Sequence, residues 1–94
     1  MESQLKNIRI KVHCGDDIRY LMLIPEVGFA DFVERVREKF GLKAGFKCKV
    51  RDEGDLITMG DKDDWEMAVE AVRKEASTEA ADMGKMEVWI VEVA

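Results

Sequence analysis

The chain has 94 residues, with 20 acids against 15 bases for a net charge of −5. That length fits one domain with a single modest core, and an acidic balance disfavours nucleic acid, whose phosphates call for a basic excess. A hydrophobic share of 47% disfavours a disordered chain.

The first seven residues, Met1 to Asn7, are largely polar and do not form a signal peptide. Met1-Glu-Ser-Gln4 reads either as a junction or as a native end. Beyond it, Ile8, Ile10, Val12 and Cys14 alternate with Arg9, Lys11 and His13, the period of a half-buried strand. Gly15-Asp16-Asp17 is a turn signal, and Ile18 to Ile24 reads as a second strand closing a hairpin. Pro25 stops that strand. Phe29, Phe32, Val33, Val36 and Phe40 then recur at helical spacing, with charged residues between them. Gly41 stands where a helix C-terminus commonly takes a left-handed residue.

Phe46 to Val50 alternates as a third strand. Asp52-Glu53-Gly54-Asp55 is a tight acidic turn, and Leu56 to Met59 is a short fourth strand. Gly60-Asp61 leads into a second helix, expected at about Lys62 to Glu75, with Asp61 as N-cap and Asp63 and Asp64 favoured by the helix dipole. Trp65, Ala68, Val69 and Val72 are its apolar stripe. Ser77 to Gly84, small and polar, is expected to be a flexible loop. Met86, Val88, Ile90 and Val91 mark a last strand whose alternation slips near its end. The order β-β-α-β-β-α-β opens like a ubiquitin-like β-grasp, an α+β fold with a mixed sheet packed on a helix.

Chemistry-bearing residues are few. His13 is the sole histidine and has no nucleophile nearby, so it reads as strand surface, and no enzyme is expected. Cys14 and Cys48 read as reduced, buried thiols of a cytoplasmic protein. Trp65 and Trp89 read as core or half-buried packing, although Trp65 could also border the acids. No apolar run approaches the roughly 18 residues of a membrane span, so membrane insertion is not expected. No cofactor is implied. Gly41-Leu-Lys-Ala-Gly45 lacks the length and ending of a phosphate loop.

The acids stand out. Asp52, Glu53, Asp55, Asp61, Asp63, Asp64 and Glu66 lie in one short stretch with Lys62 as the only base. They could be turn and cap residues on a solvated surface, or a receptor for a partner's Lys and Arg side chains. A calcium loop does not fit, because Gly60 stands where the ligating glutamate belongs.

The string from Arg51 to Val69 (acidic turn around a glycine, apolar strand, acidic helix start, Trp65) closely resembles the acidic signature of the Phox-and-Bem (PB-one) domain. The resemblance covers about residues 7–93 of one domain spanning 1–94. It implies a ubiquitin-like fold and a domain that pairs with another of its family. On it, Glu53, Asp55, Asp63 and Asp64 match acids that receive a partner's bases, with Asp52 and Asp61 beside them. Arg51 departs from the pattern, which usually has an acid there. The family's opposite, basic face is marked by a first-strand lysine. Lys11 matches it, and Arg19 and Arg9 resemble supporting bases. A member with both faces could join front to back with a basic-faced partner, or with itself. Lys11-Val-His13 and Met59-Gly-Asp-Lys-Asp-Asp-Trp65 are similar to the domains of the fungal NADPH oxidase regulator, the phagocyte oxidase activator and the yeast-type polarity exchange factor. The alternative is a ubiquitin-like binding domain without electrostatic pairing. Conjugation as a modifier is not expected, because Glu92-Val93-Ala94 lacks a Gly-Gly tail.

Overall fold

A computed structural model describes residues 5–93. Met1-Glu-Ser-Gln4 and Ala94 lie outside them. The elements follow in the expected order: β1 (Asn7–Cys14), β2 (Asp17–Leu23), α1 (Phe29–Phe40), β3 (Phe46–Asp52), β4 (Asp55–Met59), α2 (Lys62–Thr78) and β5 (Met83–Glu92). One five-stranded sheet has the order β2-β1-β5-β3-β4. β5 enters the middle, parallel to β1 with Ile10 opposite Met86, and antiparallel to β3 with Cys48 opposite Ile90. Both hairpins are antiparallel and form the two edges.

The core fills one side of this sheet. Ile8, Ile10 and Val12 of β1, Leu21 and Leu23 of β2, Cys48 and Val50 of β3, and Met86, Val88 and Ile90 of β5 are buried. Phe32 and Val36 of α1 and Trp65, Val69, Val72 and Ala76 of α2 close over them. The alternate residues of each strand face solvent, so the sheet has one covered and one open face. Trp65 is the centre of the lid. Its ring stacks on Phe32 with centroids 4.5 Å apart, and its Nε1–H donates to the Val27 carbonyl at 2.8 Å. A buried indole needs such a partner. Trp65 is therefore core and does not line the acidic surface.

Gly41 ends α1 in the left-handed region, its N–H bonded to the Arg37 carbonyl. The second half differs from the sequence expectation. α2 runs to Thr78 rather than Glu75, and the connection shrinks to the four residues between Thr78 and Met83. Ala76 extends the apolar stripe by one more turn and is buried, while Thr78 Oγ1 donates to the Lys74 carbonyl. Most of Ser77 to Met83 is exposed, and hydrogen bonds rather than burial hold it. Lys6 N–H donates to the Asp82 carbonyl at 2.7 Å and Ala81 N–H to that of Ala76 at 2.8 Å, so the connection is tied at both ends.

Both cysteines are free thiols. Cys14 is half-buried, less than the sequence pattern suggests, because β1 ends at the rim of the helix layer. Burial pushes the Cys48 thiol from its ordinary 9.0 up to about 12. The folded state thus holds this proton more tightly than the unfolded chain. Its contribution to stability is full below pH 9 and is lost as pH rises toward 12. Among the described residues no helix is long and apolar enough to cross a membrane.

Gly84 gives the fold a direct test. A Cβ there would drive into Val72 Cγ1 and lie 3.1 Å from Leu5 Cδ1, where α2 sits tightest on β5. Gly84→Ala is expected to cost about 1–3 kcal/mol by overpacking, read by urea denaturation. An unchanged midpoint would mean that α2 is not seated there.

Candidate functional site

The acids occupy the edge of the sheet formed by β3 and β4 and the adjoining start of α2. Asp52 and Asp55 pair across the end of the hairpin, with only Glu53 and Gly54 between them. Both loop residues have positive φ, 50° at Glu53 and 88° at Gly54. Two such residues in sequence are the requirement of a type I′ turn, which matches the twist of a hairpin and prefers Asn-Gly or Asp-Gly. Glu is a poor choice for the first position, since a left-handed non-glycine residue costs about 1 kcal/mol or more. The turn therefore holds a carboxylate at its tip against its own backbone preference.

The acids of α2 divide into two kinds. Asp61 is the N-cap, and its Oδ1 accepts from the Asp64 N–H at 3.0 Å. Asp64 Oδ2 in turn accepts from the Gly60 N–H at 2.8 Å. This reciprocal arrangement resembles a capping box. Asp63, between them, is exposed and makes no such bond. Of the six predicted acids, Asp61 and Asp64 thus support the local backbone. Among the described residues, no ion pair engages Asp52, Glu53, Asp55 or Asp63. Arg51 does not neutralise this group. Ladder alternation puts it on the open face, where it lies over the Trp89 ring at 4.8 Å to the centroid and 4.0 Å from Glu87.

A groove of about 790 Å³ runs between α2 and the β3–β4 hairpin. Asp52, Glu53 and Asp64 stand on its rim, with Ile57 and Met67 among its apolar lining. Sequence patterning did not reveal this groove. Ile57 is on the helix side of β4, opposite the buried Val50, yet remains 42% exposed on this edge strand.

The bases lie elsewhere. Arg9 and Lys11 project from β1 onto the open face, opposite Met22 and Tyr20 of β2. Arg9 lies over the Tyr20 ring at 5.2 Å to the centroid. Lys11 is exposed and has no ion pair among the described residues. Arg19 is not their neighbour. It opposes Val12 in the ladder, and its Nη1 donates to the Lys39 carbonyl at the end of α1 at 2.9 Å. The resemblance groups it with Lys11, but odd and even residues of β2 face opposite ways. Arg19 thus acts as a cap on the helix side, which also blunts an edge strand by pointing charge inward.

His13 is more engaged than an ordinary strand-surface residue. Its ring stacks on Trp89 at 4.6 Å, nearly parallel, and its Nε2 donates to Glu87 Oε2 at 2.6 Å. Glu87 thus bridges His13 and Arg51 around the half-buried Trp89. Among the described residues, no group of three His, Cys, Asp or Glu side chains is placed to hold a metal ion.

Compared with known families, the chain matches the model described as PB1 domain over residues 7–92. Among solved structures, one described as "AtNBR1-PB1 domain" aligns with a TM-score of 0.56 at 16% identity, over 88% of this chain and 96% of that one. At that identity the likeness concerns the fold. No curated protein matches the chain.

The division of the acids predicts opposite stability effects. Asp61→Ala should lower stability by about 1 kcal/mol through loss of the cap. Glu53→Asn should raise it by roughly 0.5–1 kcal/mol by relieving the left-handed residue. Chemical denaturation of the two variants reads both signs. Two destabilised variants would contradict the turn assignment.

Proposed function

The chain belongs to the PB1 domain family, and on that premise we propose that it pairs front to back with another domain of its family, offering the acidic turn and α2 start to a basic-faced partner. PB1 domains are protein–protein interaction modules rather than a catalytic family. The proposed acidic face is Asp52, Glu53, Asp55 and Asp63, with Asp61 and Asp64 shaping it. The proposed basic face is Lys11 with Arg9, while Arg19, on the helix side, is held by the Lys39 carbonyl.

One observation carries this reading. Among the described residues, Glu53, Asp55 and Asp63 have no ion pair, and neither does Lys11. The two unpaired sets sit on strands well apart in the sheet. Three spacings separate β1 from β4 in the order β2-β1-β5-β3-β4, or roughly 14 Å at about 4.8 Å each. That exceeds the Debye length of about 8 Å at physiological salt, so the two faces do not neutralise each other. Glu53 adds weight, because a charge kept at some cost to the turn is easiest to understand if the charge is used.

We extend the proposal to the parent protein, as a cytoplasmic scaffold of NADPH oxidase or cell-polarity signalling. Its support is the similarity of Lys11-Val-His13 and of the Met59 to Trp65 segment to domains of such proteins.

The test titrates the domain with a second PB1 domain that has a first-strand lysine and a disabled acidic turn. Asp55→Asn with Asp63→Asn keeps shape and removes charge. Affinity should fall about a hundredfold or more, and wild-type affinity should weaken steeply between about 50 and about 500 mM salt. Unchanged affinity in the double variant would sink the reading.

A further inference from the structure

The open face of the sheet gathers charge of one sign. Arg9 and Lys11 of β1, Lys47, Lys49 and Arg51 of β3, and Lys85 of β5 all project from it. Glu87 is the one strand acid on that face among the described residues, and His13 and Arg51 already hold it. Lys11, Lys47, Lys49 and Lys85 have no ion pair among the described residues. The chain as a whole carries −5, so charge is segregated across the sheet, basic on the open side and acidic toward the helices and the outer hairpin. Apolar side chains border the same face. Ile18, Tyr20 and Met22 on β2, and Ile24 just beyond it, are 59%, 51%, 48% and 52% exposed. Isolated exposed apolar residues are ordinary, but four successive alternate positions on one edge form a continuous stripe. Leu56, opposite Arg51, and Val91, opposite Lys47, are also exposed, at the far edge and at one end of the face.

This layout inverts that of a protein–protein interface, whose centre is apolar and whose rim is polar. Here bases hold the centre and apolar side chains the margin. The face is also broad. Its four strand spacings span roughly 19 Å at about 4.8 Å each, several times the width of one extended peptide. Single-stranded nucleic acid fits poorly, because it stacks its bases on free aromatic rings. Trp89 is already stacked on His13 and covered by Arg51. We propose that the open face docks on a bilayer surface rich in anionic headgroups such as phosphatidylserine. The bases meet the headgroups. Ile18, Met22 and Ile24 enter the interface at the margin, with the Tyr20 ring at headgroup level, where tyrosine is favoured. Each base held near an anionic leaflet strengthens binding roughly fivefold. The helices lie on the other side of the sheet, so the acidic start of α2 points to solution. The inference does not rest on front-to-back pairing, since Lys47, Lys49 and Lys85 belong to neither proposed pairing face.

Co-sedimentation with vesicles at about 50 mM salt tests it. Vesicles of phosphatidylcholine mixed with phosphatidylserine should carry down the wild type, and vesicles of phosphatidylcholine alone should not. Lys47→Gln with Lys85→Gln should weaken binding about twentyfold. Ile18→Ser with Met22→Ser should weaken it about tenfold. All four residues are exposed, so the variants should fold, which thermal melts check. Asp55→Asn with Asp63→Asn, which disables the proposed acidic face, should sediment at least as well as wild type. A loss of binding in that variant would overturn the assignment to the open face. A wild type that stays in the supernatant with both kinds of vesicle, or binds both alike, would overturn the proposal, as would a lysine variant that sediments as wild type does. Serine variants that bind as wild type does would overturn the seating of the β2 stripe in the interface. Binding of a soluble polyglutamate peptide, lost in the lysine variant and without any vesicle binding, would assign the face to an acidic protein and overturn the bilayer as its occupant.

Discussion

The indole of Trp65 lies flat on Phe32 and donates to the Val27 carbonyl, and the placement of the acidic surface follows from that contact. Trp65 is in the first turn of α2, directly after Asp63 and Asp64. Anchoring it against α1 and the chain entering α1 fixes where the helix begins. The cap of Asp61 and the return bond of Asp64 then hold the first turn in place. Asp63 is left on a rigid base with its carboxylate in water. A charge presented this way loses little side-chain and backbone freedom on meeting a partner, which favours affinity through preorganisation.

The second constraint is the one-sided burial of the sheet. Both helices cover the same face, so charge on the strands must go to the open face or to the edges. β5 enters between the two hairpins and separates them. Acids collect on the outer hairpin and the helix beside it, while Arg9 and Lys11 stand on the other side of β5. Glu87, the acid of β5 on this face, is taken up by His13 and Arg51 around Trp89. That cluster occupies the middle of the open face, between the two charged surfaces. Arg51, which departs from the family pattern, belongs to this central cluster and leaves the acidic turn unopposed.

Much of this was legible in the sequence, for identifiable reasons. Strict alternation in β1 and the 3.6-residue spacing in α1 are strong signals, and the Asp61 cap is a local one. The acidic turn could be found because its residues adjoin in sequence. The end of α2 could not, because Ser77 and Thr78 look like loop residues until the burial of Ala76 is known. The face of Arg19 was not legible, because β2 is apolar at nearly every position and its pattern does not say which side is inward. The same ambiguity hid the exposed stripe of Ile18, Tyr20 and Met22. Pairing of β1 with β5, far apart in sequence, also lies beyond local patterning, and with it the groove beside Ile57 and the cluster around Trp89.

The proposed pairing brings charges of opposite sign together between chains. Light scattering on the purified domain across a range of concentrations, at about 50 mM salt, tests it most directly, with wild type beside Lys11→Ala. Front-to-back pairing predicts a wild-type mass that climbs from 10.7 kDa with concentration and does not stop at a dimer, and a variant that stays at the monomer mass. A variant that climbs as the wild type does would contradict it.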